Sequence, residues 1–163
     1  MSTPIVDNQS AWPARVPVVQ IRLARPVTNL DEIKMFYHKG LGLPIVGSFE
    51  NHSGYSGLMI GLPNADYHLE FTAHDVATKV TQAHKPDADN LLVLYLGDEE
   101  VVARVVIRLG SLGYFPVPAP HPHWESLGVV LCDPAGYHLV LSQAPANPRL
   151  DTTDTPSLNG AKS

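Results

Sequence analysis

Tyr67-His68-Leu69-Glu70-Phe71 returns 70 positions later as Tyr137-His138-Leu139-Val140-Leu141. Other pairs keep nearly the same offset. Leu41-Gly42 is answered by Leu112-Gly113, Gly57 by Gly128 and Pro63 by Pro134, each 71 apart, and Gln20 by Asn90 at 70. Several matches in one register over more than 50 residues mark a duplicated unit. The chain therefore reads as two modules, 16–74 and 88–144, joined by a polar linker around His84-Lys85-Pro86-Asp87. Residues 1–15 read as a flexible N-terminal segment. Residues 145–163, rich in Pro, Thr, Asn and Asp, read as a disordered C-terminal tail, because such a composition buries too little apolar area to offset ordering entropy.

Both modules show one order of elements. Val19 to Ala24 alternates apolar and non-apolar residues, the mark of a half-buried strand, and Pro26 ends it. Asn29 followed by Glu32 reads as a capping box. Ile33, Phe36, Tyr37 and Leu41 then keep helical spacing, and Gly40 and Gly42 close the helix. Strands are expected over Leu43–Phe49, Gly57–Leu62 and Tyr67–Thr72, with a turn at Asn51–Gly54. In the second module a strand over Leu91–Leu96 leads to a helix capped by Asp98, with Val102, Val105, Val106 and Leu109 on one face. Strands follow near 114–118, 127–132 and 137–142. The fold class read from this order is α+β, built as βαβββ twice.

Composition narrows the function. The 163 residues carry 11 Lys plus Arg against 16 Asp plus Glu, a net charge of −5. That balance argues against a nucleic-acid partner, which calls for a basic stripe, and against a polybasic membrane-surface protein. No apolar run approaches the ~20 residues that span a bilayer, and Met1–Gln9 lacks the basic-then-apolar order of a secretory signal. The expected location is the cytoplasm. The single cysteine, Cys132, excludes an intrachain disulfide and a Cys-based zinc knuckle, and reads as a small buried hydrophobe.

The element order, the helix end Phe36-Tyr37-x-x-Gly40-Leu41-Gly42-Leu43 and Asp133-Pro134-x-Gly136 before the last strand resemble the vicinal oxygen chelate superfamily. That group includes glyoxalase I, bleomycin-resistance proteins, fosfomycin-resistance enzymes and extradiol dioxygenases. The resemblance covers residues 16–144 and is specific for the fold, which hosts many activities. It implies two curved mixed sheets around a shared cleft. It further implies a divalent metal held by side chains from the first and last strand of each module.

Strand alternation assigns the faces. Val19, Ile21 and Leu23 should face the helix, and Gln20, Arg22 and Ala24 the cleft. His68, Glu70 and Thr72 should join the cleft from the fourth strand. In the second module Asn90, Leu92 and Leu94 should join it, with His138, Val140 and Ser142. The family's ligand positions fall on Glu70, Val140, Gln20 and Asn90. Val140 cannot ligate, and a catalytic divalent ion wants at least three good protein donors plus an open position. The inherited site is thus incomplete. Gln20, His68 and Glu70 are the metal candidates and Glu70 the catalytic candidate. His68, however, has a counterpart in His138, and this favours a structural role. His121 and His123 sit in a Pro-rich loop and read as solvated. Arg22 on the same face offers Glu70 a partner, because a buried carboxylate needs one.

The expected ligand-binding cleft is therefore Gln20, Arg22, His68, Glu70, Leu92, Leu94, Trp124 and Val140, one polar wall facing one apolar wall. That contrast suits a small amphipathic or aromatic ligand. Trp124 either caps the cleft or sits at a subunit contact. The first reading is a small-molecule-binding protein of the bleomycin-resistance type, with no cofactor. The alternative is a lyase or dioxygenase dependent on Zn, Ni, Mn or Fe. A structural or regulatory dimer is the third. A homodimer is expected in each case, since open curved sheets leave edges to cover.

Overall fold

A computed structural model of the chain describes residues 19–62, 67–74 and 86–143. The chain divides into two compact units between Ala83 and His84. The N-terminal segment, most of the linker and the tail past Ala144 lie outside the described residues. Among the described residues no helix is long and apolar enough to cross a membrane.

The first unit holds strands β1 (Ile21–Pro26), β2 (Ile45–His52), β3 (Tyr55–Gly61) and β4 (Tyr67–His74), in the order β1-β4-β3-β2. β1 runs parallel to β4 and the other neighbours are antiparallel. Helix α1 (Leu30–Ile33) starts where expected. The Asn29 side chain accepts from the Asp31 and Glu32 backbone N–H groups, which satisfies two donors a helix start leaves orphaned. The helix runs on without a break as π-helical turns over Lys34–Gly40, with Leu41 N–H donating to Phe36 C=O. Ile33, Phe36 and Tyr37 are buried, and the Tyr37 ring lies 4.7 Å from that of Phe71. This contact fixes the face of β4 that the helix covers, the face of Leu69 and Phe71.

β1 corrects one expectation. Ile21 and Leu23 share the helix-side face with Leu69, yet both are exposed, as is Val19. Burial on this face begins only at Arg25, and Val27, just past the strand end, is buried too.

The second unit holds β5 (Leu91–Tyr95), α2 (Glu99–Ser111), α3 (Pro122–Leu127), β6 (Gly128–Cys132) and β7 (His138–Ser142), with sheet order β5-β7-β6. Asp98 caps α2 by accepting from Glu100 N–H at 2.8 Å. The strand expected near 114–118 shrinks to one bridge, Pro116 to Leu131. Pro116, Pro118 and Pro120 lack the backbone donors a ladder needs, and Val117 N–H, between two of them, donates to Val130 of β6. The His121-Pro122-His123-Trp124 stretch, read as a loop, winds into α3. His121 caps it by accepting from His123 N–H. The second βαβββ module thus keeps its plan with three strands in the sheet.

Gly57 and Gly128, partners in the repeat, face different obstacles. A Cβ on Gly57 would meet the Phe49 ring, which lies across it and can turn away. A Cβ on Gly128 would meet the Leu141 carbonyl, which belongs to the β6–β7 ladder and cannot. Gly128→Ala should cost about 3 kcal/mol or more and Gly57→Ala about 1 kcal/mol, read by urea denaturation. Equal costs would contradict this difference.

Candidate functional site

Register decides which side chains share a face. Arg22 stands opposite His68 and Ala24 opposite Glu70 across the β1–β4 pair. Met59 stands opposite Glu70, Gly61 opposite His68, and Gly47 opposite Met59. Gln20 precedes β1 with the parity of Arg22 and is exposed. The face away from the helix therefore has a polar strip on β1 and β4 and an apolar part on β2 and β3. In the apolar part, Phe49 lies over Gly57, Met59 over Gly47 and Val46 over Gly61. Each glycine makes room for a large neighbour.

The polar strip centres on Arg22. Its Nε donates to His68 Nε2 at 3.1 Å, and its Nη1 lies 2.7 Å from Glu70 Oε2. The second contact is a close charge pairing off the hydrogen-bond axis. Oε2 is shut away from solvent and has no aligned donor. His68 and Glu70 are both buried, while the Arg22 side chain is 51% exposed. The expected Arg22–Glu70 pair forms, and His68 joins it. The signal for that was the parallel pairing of β1 and β4, which sets Arg22 opposite His68.

The fold implies a metal, so the donors need testing against one. Glu70 and His68 both face a guanidinium, already the positive charge between them. Gln20 lies exposed outside β1, and among the described residues no three His, Cys, Asp or Glu side chains converge. Among the described residues this set of donors does not fit a divalent ion.

The second unit corrects the expected apolar wall. Leu91 pairs with His138, Leu92 with Leu139, Val93 with Val140 and Leu94 with Leu141. Leu92 and Leu94 therefore lie on the opposite face from Val140, beside Leu139 and Leu141. Asn90 follows their parity and is exposed, so it does not join Val140 as a ligand pair. Val140 itself is fully buried. The observed register differs by one residue from the expected one, and in a strand one residue exchanges the faces. Trp124 lies on α3, half-buried, with its ring 5.0 Å from that of His123. Cys132 is half-buried and stands opposite His138.

A cavity of about 460 Å³ opens between the start of α1 and the β2–β3 hairpin, lined by Leu30, Lys34, Ile45, Ser48 and Glu50 among others. Arg22, His68 and Glu70 do not line it.

This pair of sheets is the architecture of the vicinal oxygen chelate superfamily, in which glyoxalases and bleomycin- and fosfomycin-resistance proteins are found. Residues 21–72 match the model of the YycE-like N-terminal domain, and residues 89–143 that of the YycE-like C-terminal domain. The uncharacterized protein YycE of Bacillus subtilis is 44% identical over 121 residues, 74% of this chain and 85% of that protein. The chain belongs to the YycE-like family. A crystal structure of a Bacillus subtilis YycE protein of unknown function, described as a candidate glyoxalase/fosfomycin resistance protein, superposes with a TM-score of 0.73 at 41% identity. It covers 80% of this chain and 93% of its own. Two more distant structures share the fold alone. The fosfomycin resistance protein FosX of Mesorhizobium loti has a TM-score of 0.60, 15% identity and coverage of 80% and 94%. TnmS3, an antibiotic binding protein of a Streptomyces species, has 0.51, 21%, and 77% and 95%.

Removing Arg22 strands a buried carboxylate. Arg22→Ala should destabilise the protein by about 1–3 kcal/mol, less than for a fully buried pair because the guanidinium is half in water. Adding Glu70→Gln to that variant should recover much of the loss. A double-mutant cycle in urea measures the coupling, and additive losses would show that the pair is energetically idle.

Proposed function

We propose that this protein binds a small organic molecule on the polar-and-apolar face of the first sheet, with Arg22 as anchor and without a resident metal ion. The observation that carries this reading is the Arg22 guanidinium lying between His68 and Glu70, on the donors a metal would need. Only two directions of the guanidinium are engaged there. Arginine carries five N–H groups, and the exposed remainder can take a carboxylate or carbonyl head bidentately. Glu70 and His68 hold the fork in place, which lowers the entropy lost on binding. Phe49, Met59 and Val46 beside it offer an apolar surface to the body of the ligand.

This reading favours a binding protein over a metal-dependent lyase or dioxygenase. No group in the trio is free to act as a general base, since Glu70 is held by a cation and His68 accepts from it. TnmS3 shows that an antibiotic binding protein is built on this fold, and its distance from this chain leaves the ligand open.

Two measurements test the proposal together. Dialysis against Zn²⁺, Ni²⁺, Mn²⁺ or Fe²⁺ followed by elemental analysis should leave far less than one ion per chain. A thermal-shift screen of aromatic carboxylates should raise the melting temperature of the wild type, and Arg22→Ala should lose the shift. A ligand at 100 times its Kd adds about 2.7 kcal/mol, well above detection. One retained ion per chain, lost in Glu70→Gln, would overturn the reading in favour of the metal enzyme.

A further inference from the structure

A row of rings crosses the same face at the hairpin end of the sheet. The Cα of His52 pairs with that of Tyr55, and Tyr55 in turn with His74, so the three stand side by side on β2, β3 and β4. The Tyr55 and His74 rings lie 3.9 Å apart at 37°, and Phe49 meets His52 edge-on at 6.2 Å.

The backbone is shaped to make this row. Ser53 and Gly54 both take positive φ, 54° and 84°, the requirement of a two-residue type I′ hairpin, and this turn sets His52 opposite Tyr55. Asn51, also at φ 54°, lies in a bulge between Phe49 and His52 that keeps both on one face. A left-handed backbone at the non-glycine residues Asn51 and Ser53 is uncommon and is held here by the surrounding ladder. The row is not spent on a core, for Tyr55 remains 41% exposed and His52 is exposed as well.

We infer that Phe49, His52, Tyr55 and His74 form a stacking subsite for a planar aromatic group, in a ligand whose polar head is held by Arg22. The inference rests on the binding role proposed above and adds the class and length of the ligand. His74 lies four residues beyond Glu70 on β4, about 13 Å at ~3.3 Å per residue. Met59, Gly57 and Phe49 line the path between them. A ligand with one small ring at its carboxylate reaches Arg22 alone. A rod of para-linked rings reaches both.

The test is a molecular ruler, read by calorimetry and by NMR on the histidine ring protons. The probes are benzoate, biphenyl-4-carboxylate and p-terphenyl-4-carboxylate. Affinity should rise with length. Tyr55→Ala and His74→Ala should each weaken terphenyl-4-carboxylate by about 2- to 10-fold and leave benzoate unchanged. Tyr55→Phe, which keeps the ring, should bind as the wild type does and guards against a folding defect in Tyr55→Ala. If length brings no gain, or if Tyr55→Ala weakens benzoate and terphenyl-4-carboxylate equally, the stacking subsite is overturned while the Arg22 anchor stands. If Arg22→Ala leaves benzoate binding unchanged, or no probe binds the wild type, the anchor falls and the subsite with it.

Discussion

The parallel pairing of β1 with β4 governs the first unit. With Arg22 opposite His68 and Ala24 opposite Glu70, a guanidinium extending from β1 meets an imidazole and a carboxylate two residues apart on β4. A buried carboxylate without a partner is costly, and the register supplies the partner at 2.7 Å. It also places Leu69 and Phe71 on the other face, where Tyr37 packs. Charge neutralisation on one side of the strand and aromatic packing on the other are two consequences of one alignment. A slip of β1 by one residue would turn Arg22 to the opposite face and leave the Glu70 carboxylate without its partner.

The second unit obeys the same rule with different residues. Leu91 stands opposite His138, as Arg22 stands opposite His68, and Val140 occupies the position of Glu70. Cation and carboxylate are both absent from these positions, as the physics of a buried pair requires, since either alone is a liability. The histidine remains in each unit. In the second its Nδ1 is shut from solvent without a hydrogen-bond partner. One module has a polar strip at these positions, and its duplicate has an apolar one.

Much of the fold was legible because repeated local signals agree. Asn29 and Asp98 cap helices where a side-chain oxygen precedes a run of helical spacing, and both caps form. Alternation and glycine punctuation located most of the strands. The strand near 114–118 was misread because its apolar residues promised pairing, while prolines at alternate positions withhold the donors. The exposed face of Ile21 and Leu23 was misread because alternation says which residues share a face, and not how far a helix extends across it.

For the candidate site the division is sharper. The sequence by itself determined the chemistry available: Arg22, His68 and Glu70 with one strand parity in the first module, and a valine where the second would need a ligand. The spacing of His68 and Glu70 put them on one face whatever the partner strand. Only the tertiary structure decided who meets whom. The repeat suggested an offset of 70 for the first strands, from Gln20 and Asn90, and the ladder sets it at 69, Arg22 to Leu91. That single residue places Leu92 and Leu94 on the face opposite Val140. Spacing within a strand is covalent and can be read from the chain. Register between strands is settled by hydrogen bonds and side-chain packing that no single segment contains.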